Sequence, residues 1–344
     1  MKILHVANFA WFHSKRKRSD NIARYYATDH KISNGLIRNG HCVWDFSYRD
    51  TARHFSPFGK SKKWGAANMN ATLIMQARAF APDLILLGHT ELVTPQTLAT
   101  LRKHLPDTKI AQWWVDWFLP HSLSHLRKKQ SYLDAFFATT APEYYAPLLQ
   151  SSTPSHYLPN IVDSSVETER AFATTDYKYD VFFAGSDASE RAPLLESIKN
   201  IPEVCTGFFG FGGRPFLSGA VLAKTIAIAK IGLNFSRADD IPLYSSARLA
   251  QLIGNGCAVV MPHIPHMQTL FNEHEVAYFS EAKDLVPLIT ELLNDDERRQ
   301  TLARAGWQRA HASYNEQRIC KFITEATMGE SFSEQYEWLP FSRE

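Results

Sequence analysis

Residues 231 to 262, IGLNFSRADDIPLYSSARLAQLIGNGCAVVMP, constrain the fold of this chain more than any other stretch. They read as a short apolar run from Ile231 to Phe235, a helix of about three turns from roughly Leu243 to Ile253, and a second apolar run from Cys257 to Met261. A strand, helix, strand unit of this kind belongs to a parallel sheet covered by helices. Leu249, Leu252 and Ile253 fall three and four apart and give the helix one apolar face. Ser245 and Ser246 stand near its start as capping residues, so its first N–H groups would be turned towards an anion such as phosphate. Gly254 and Gly256, on either side of Asn255, end the helix where φ > 0 is wanted.

The same alternation runs through the rest of the chain. KILHVAN (Lys2 to Asn8) reads as a buried strand, and a helix follows from about Asn21 to Arg38, stopped by Asn39 and Gly40. HCVWDFS is the return strand, and a loop extends to about Lys63. A helix (Ala67 to Phe80), the strand PDLILLGHTE, a helix (Pro95 to His104) and the strand TKIAQWWVDW come next. Leu133 to Tyr144 supplies a further strand and helix. After SHYLPNIVD (Ser155 to Asp163) and a polar lead-in, YDVFFAG (Tyr179 to Gly185) is a strand and SDASERAP its loop. FFGFGGRP (Phe208 to Pro215) lacks the spacing of a phosphate-binding glycine loop and reads as a flexible segment near the site. A helix from about Ile264 to Phe271, the run VAYFS and two charge-rich helices close the pattern, with Pro287 inside the first of them. The expected fold is therefore α/β, with two doubly wound parallel-sheet domains facing a cleft. The domains are placed at 1–158 and 159–320, with a segment 321–344 packing back on the first.

In parallel sheets, ligands gather beyond the C-terminal ends of the strands. Asn8 to Trp11, His89-Thr90-Glu91 and Asp116 fall there in the first domain. A carboxylate at such an edge can take a proton from a hydroxyl, and Trp114 and Trp117 beside Asp116 would desolvate it and raise its pKa. A capping aspartate and a structural histidine are the plainer roles for Asp116 and His89. In the second domain Gly185 and Ser186 permit close backbone approach, and Arg191 can grip a diphosphate with two parallel hydrogen bonds, or else lie on the surface of its helix.

The 344 residues are 45% hydrophobic and 21% charged, which suits two globular domains and excludes disorder. Cys42, Cys205, Cys257 and Cys320 have no metal or disulfide spacing and are expected to be reduced. The N-terminal apolar run precedes its basic run, the reverse of a secretory signal, and no stretch is long enough to span a bilayer. A cytoplasmic protein is expected, peripheral at the inner face of the membrane. Charge is uneven: residues 1–160 hold 20 Lys and Arg against 10 Asp and Glu, and the remainder 17 against 25. The bases cluster at Lys15 to Arg18, Lys60 to Lys63 and Arg127 to Lys129, near Trp11, Trp64 and Trp117. That mix suits an anionic acceptor or membrane surface; nucleic acid is not the expected partner.

The run Gln251, Leu252, Ile253, Gly254, Asn255, Gly256, Cys257, Ala258, Val259, Val260 resembles the donor-binding segment "E-A-x-A-x-G-x-P-V-V" of GT-B glycosyltransferases. RNGHCV after the first helix and LPNIVD at the crossover are similar to that group's "GH-x-V" and "LPNGVD". Its two donor-contacting glutamates fall on Leu243 and Gln251, so neither is acidic here. The closer likeness is to spore-maturation-protein-like (CgeB-like) enzymes, which carry an arginine where Arg248 stands, a glycine loop and arginine like Gly185 and Arg191, and an aspartate like Asp116. The resemblance implies a nucleotide-sugar donor held by the second domain through Gly185, Ser186, Arg191, Asn234, Tyr244, Ser245, Ser246, Arg248 and Gln251. It implies a glycan, lipid-linked or other cell-surface polysaccharide acceptor on the first domain, with Asp116 or His89 as base. No D-x-D element is present, Asp239-Asp240 being a plain pair, so transfer without a metal or other cofactor is expected. A non-catalytic nucleotide- or glycan-binding homologue and a nucleotide-sugar epimerase of the same shape are the competing readings.

Overall fold

A computed structural model of the chain describes residues 1–10, 25–57, 61–186 and 190–343. The basic run Lys15 to Arg18, Trp11, Lys60 and the start of the expected helix at Asn21 lie outside the described residues, as do 187–189 of the SDASERAP loop. The chain divides into two compact units, Met1–Pro159 with Glu316–Glu344, and Asn160–Asn315.

The first unit opens with β1 (Lys2–Ala7), α1 (Thr28–Arg38), β2 (Cys42–Ser47), α2 (Tyr48–His54) and α3 (Ala66–Phe80). It continues with β3 (Leu84–Leu87), α4 (Pro95–His104), β4 (Lys109–Trp114), α5 (Pro120–Arg127), β5 (Ala135–Ala138), α6 (Pro142–Leu149) and β6 (Ser155–Tyr157). The second unit begins with β7 (Tyr179–Ala184), α7 (Ala192–Lys199), β8 (Thr206–Phe209), α8 (Gly219–Ala227), β9 (Ala229–Leu233) and α9 (Arg248–Gly254). It ends with β10 (Ala258–Pro262), α10 (Met267–Leu270), β11 (Ala277–Phe279), α11 (Ala282–Asn294) and α12 (Asp296–Ser313). The chain then returns to the first unit with α13 (Glu316–Met328) and β12 (Ser342–Arg343).

The first sheet runs β12-β6-β5-β4-β3-β1-β2 and the second β11-β10-β9-β7-β8. All pairs are parallel except the antiparallel β12 with β6. The runs LILL of β3 and AFFA of β5 are buried along their whole length, because helices cover both sheet faces. Each leucine, isoleucine and phenylalanine among them contributes roughly 1.5–3 kcal/mol by leaving water.

Several expected boundaries move. The loop between HCVWDFS and Lys63 contains α2, and Phe208 and Phe209 belong to β8 rather than to a loop. The return to the first unit starts at Glu316, not 321. Ile319, Cys320, Phe322 and Ile323 of α13 are buried, and the Phe322 ring lies 6.0 Å from Phe137 of β5. α13 also packs on α1 at Gly35, where an added Cβ would lie 2.2 Å from the Glu316 carbonyl oxygen and 2.6 Å from Cys320 Sγ. A mid-helix glycine costs about 1 kcal/mol against alanine, and here it allows two helix backbones to touch.

The largest correction concerns α9. The expected helix from Leu243 begins only at Arg248, with Ala247 as its N-cap and no side-chain cap. Leu243 sits at φ +58°, in the left-handed region, and its N–H donates to the Pro265 carbonyl, so a helix cannot run through it. Gly256 takes φ +74° as expected, but Gly254 is an ordinary helical residue.

Candidate functional site

In the first sheet, β1 sends its connection outwards to β2 while β3 lies on its other side; in the second, β7 does the same between β8 and β9. The strand order reverses between β1 and β3, and between β7 and β9. A crevice opens at such a point, because the two connections leave in opposite directions. The candidate residues of both units gather at these two edges.

At the first edge, His89 lies two residues past β3 and Asp116 two past β4, and the structure joins them. His89 Nδ1 is 3.3 Å from Asp116 Oδ2, and Nε2 accepts the Val115 N–H at 3.3 Å. Those partners select the Nδ1–H tautomer, so the neutral ring donates to the aspartate. Burial lowers the His89 pKa, and the Asp116 charge opposes that shift. The ring stacks on Trp114 with centroids 4.1 Å apart. Asp116 itself is 70% exposed at its side chain, so the expected desolvation by Trp114 and Trp117 is absent; Trp114 covers the histidine instead.

Glu91, the next strand-end candidate, is held by Tyr48 Oη, by Arg49 Nε at 2.8 Å and by Lys62 Nζ. Burial pushes its pKa up, but these donors win and hold it at about 2, so Glu91 is an ionised anchor rather than a base. Between His89 and Glu91, Thr90 is fully buried at φ +39°, a costly conformation for a β-branched residue. Lys129 holds it there: its Nζ donates to the Thr90 carbonyl at 2.7 Å and to Oγ1 at 3.2 Å. Lys129 is completely buried, and burial lowers its pKa to about 7 while Glu91 pulls it back up. The expected basic surface cluster at Arg127 to Lys129 therefore loses its last member to the interior. Asn8, beyond β1, donates its N–H to Asp29 Oδ1 at 3.1 Å.

At the second edge, Arg248 opens α9 and points back to β7. Its Nε donates to the Ala184 carbonyl at 2.7 Å and its Nη1 to the Phe235 carbonyl at 3.0 Å, with the guanidinium 4.7 Å from the Phe183 ring centroid. Arg191 converges on the same atoms, donating from Nη1 to Phe235 O at 3.2 Å and from Nη2 to Ser186 O at 3.0 Å, 5.5 Å from the Phe183 ring. Arg191 is thus buried rather than a surface helix residue. Gly185 suits this packing, since a Cβ would come within 2.8 Å of Arg248 Nη2 and 2.9 Å of the Phe183 ring, and both side chains would have to shift. Burial lowers the Arg248 pKa to about 9, and Arg191 beside it acts in the same direction. Among the described residues no carboxylate pairs with Arg248, whose charge is set against the neutral carbonyls of Ala184 and Phe235.

The other expected donor residues divide. Asn234, one residue past β9, is fully buried, and its Oδ1 has no partner among the described residues. Ser246 Oγ is likewise buried and unsatisfied. Ser245 does not cap α9: its Oγ accepts from Asn160 Nδ2 at 2.5 Å, tying the loop to the crossover segment. Tyr244 is buried, and Gln251 lies half-buried one turn after Arg248. Leu243, at the position of a family glutamate, has no exposed surface. Sequence reasoning missed Phe183, Phe235, Tyr48 and Arg49, and saw Lys62 and Lys129 only as members of basic clusters. The two phenylalanines were open to discovery because they sit at strand ends, where the other candidates were sought.

Residues 191–325 match the family model described as glycosyl transferase-like. No curated protein matches the chain in sequence. Among solved structures, sucrose-phosphate synthase from Thermosynechococcus elongatus is similar at a TM-score of 0.64 and 12% identity, covering 95% of this chain and 98% of that one. HepE of Anabaena, solved in complex with UDP-glucose, is similar at 0.62 and 14% identity, over 96% of this chain and 100% of that one. A glycosyltransferase from Rickettsia africae is similar at 0.63 and 10% identity, over 95% and 98%. The chain has the α/β, parallel-sheet fold of the GT-B type that the sequence resemblance implied.

Proposed function

We propose that this chain is a glycosyltransferase that moves a sugar from a nucleotide-sugar donor to a hydroxyl of a glycan or lipid-linked acceptor, in polysaccharide synthesis and without a metal ion. The observation that carries the reading is the pairing of buried Arg191 with half-buried Arg248 at the switch point of the second sheet, held by carbonyls of Ala184, Ser186 and Phe235. A departing nucleoside diphosphate accumulates negative charge, and preoriented cations at a partly dry edge stabilise it without reorganising. The glycosyl transferase-like match over residues 191–325 and the UDP-glucose held by HepE support a nucleotide-sugar donor. Asn234 Oδ1 and Ser246 Oγ are unsatisfied polar atoms of the kind that donor hydroxyls or amides would satisfy. In this reading Asp116 takes the acceptor proton while His89, donating through Nδ1–H, orients it.

Nucleoside diphosphates and their sugars are to be titrated by calorimetry. Arg248→Lys keeps a charge but not the fork, and is expected to weaken the preferred nucleotide by about tenfold or more. Asp116→Asn is expected to leave that affinity intact and lower turnover by about 100- to 10,000-fold. EDTA is expected to leave turnover unchanged. Unaltered affinity in Arg248→Lys sinks the donor site, unaltered turnover in Asp116→Asn removes the base, and activity lost to EDTA and restored by manganese ends metal independence. A second reading, nucleotide-sugar binding without transfer, is favoured by the burial of Leu243 where the family has a glutamate. Binding with no donor turnover on any acceptor would select it.

A further inference from the structure

One surface of the first unit is unlike the rest. α3 and α4 pack side by side, and neither AANMNATLIMQARAF nor PQTLATLRKH contains an acidic residue. α3 buries Met69, Leu73 and Ala77 on its inner side, yet apart from Asn68 and Arg78 its exposed residues are Ala67, Ala71, Met75 and Ala79. Ala71, Met75 and Arg78 fall along one stripe, with Trp64 just ahead of the first turn. Met75 is 63% exposed and Trp64 67%. Ala71, Ile74, Met75, Arg78 and Ala79 line a shallow groove of about 600 Å³. On the edge strand β2, the exposed Trp44 extends this apolar area, its indole N–H donating to Gln76 of α3 at 3.3 Å. A surface helix ordinarily turns charged residues outwards, so an outer face built from Ala, Met and Trp needs an explanation.

The cations supply the second half of the argument. Lys63, Arg78 and, on α4, Lys103 are exposed, and among the described residues none of them takes part in an ion pair. We propose that this face seats the protein on an anionic lipid bilayer, with Trp64 and Met75 entering the interface and Lys63, Arg78 and Lys103 at the level of the headgroups. Tryptophan favours that boundary because its ring is apolar and its N–H polar, and long basic side chains reach back to phosphate. No described helix is long and apolar enough to cross a membrane, so the contact lies in the plane of the interface. A nucleic acid would have no use for the Met75 groove. In a two-fold dimer this face would meet itself, setting cations against cations with no acid on either helix to pair them.

The test is co-sedimentation of the full chain with vesicles of phosphatidylcholine alone or mixed with phosphatidylglycerol. The wild type is expected to bind the mixed vesicles, more weakly as salt rises, and to leave the neutral ones in solution. Arg78→Glu is expected to weaken binding by about tenfold, from reversal of one charge near an anionic surface. Trp64→Ser with Met75→Ser is expected to weaken it further while melting at the wild-type temperature. The proposal is overturned if the wild type ignores the mixed vesicles or if both variants bind like it. It is equally overturned if Met75→Ser splits a dimer seen by light scattering without altering vesicle binding, or if binding to a nucleic-acid oligomer is the property that these substitutions remove.

Discussion

Lys129 places an amine where no water reaches it, and its hydrogen bonds to Thr90 fix the strained turn that carries His89 on one side and Glu91 on the other. Its pKa falls from 10.5 to about 7 by burial. The unfolded chain keeps the proton up to about pH 10.5 while the folded chain releases it near 7, so unfolding takes up protons between those values. This group therefore makes the fold more stable as pH rises from about 7 to 10, by at most about 1.4 kcal/mol per unit. Denaturant unfolding of wild type and Lys129→Met at pH 7, 8.5 and 10 is expected to show a stability difference that moves in favour of the wild type as pH rises; a constant difference would refute the assignment. None of this could be read from LRKK, where three bases in a row look alike and nothing marks which one turns inwards. The positions of His89 and Asp116 just beyond β3 and β4 were legible because apolar runs reveal where strands end. That His89 Nε2 takes the Val115 N–H was not, since it depends on a ring rotation set by Trp114.

At the scale of elements, the parallel strands were legible because they are short apolar runs, the central ones buried on both faces, as in LILL and AFFA. Helix starts were less so. Leu249, Leu252 and Ile253 marked the helix and two serines imitated a cap before it, but the left-handed Leu243 and the bond from Asn160 to Ser245 override that local pattern. Both depend on segments remote in sequence. Gly35 gives the same lesson with a sign that can be measured. By helix propensity alone Gly35→Ala would stabilise α1 by about 1 kcal/mol, whereas crowding against Glu316 O and Cys320 Sγ costs about 1–3 kcal/mol. The crowded side should win, so the substitution is expected to lower the denaturant midpoint. A raised midpoint would mean that α13 does not press on α1 in solution.

For the whole molecule, the sequence carried the two-unit plan but not the place where the chain returns, because α13 follows α12 with only two residues between them. Asn160–Asn315 is complete in itself, with its own sheet and core, and its ends are joined by the Val162 N–H to the Tyr314 carbonyl at 3.0 Å. A fragment of residues 160–315 is expected to melt cooperatively, whereas 1–159 alone, lacking the helix that covers Gly35 and Phe137, is expected to aggregate or melt without cooperativity; calorimetry of both decides it. The order of manufacture follows from the same returning helix. As the ribosome extends the chain, the unit begun first cannot be finished until the unit begun second has been made entire. At about 5–20 residues per second, the span from Asn160 to Asn315 keeps the earlier unit waiting roughly 8 to 30 s with its α13 seat uncovered, so during synthesis the later-born unit is the first to mature and the earlier-born one is the natural client of a chaperone.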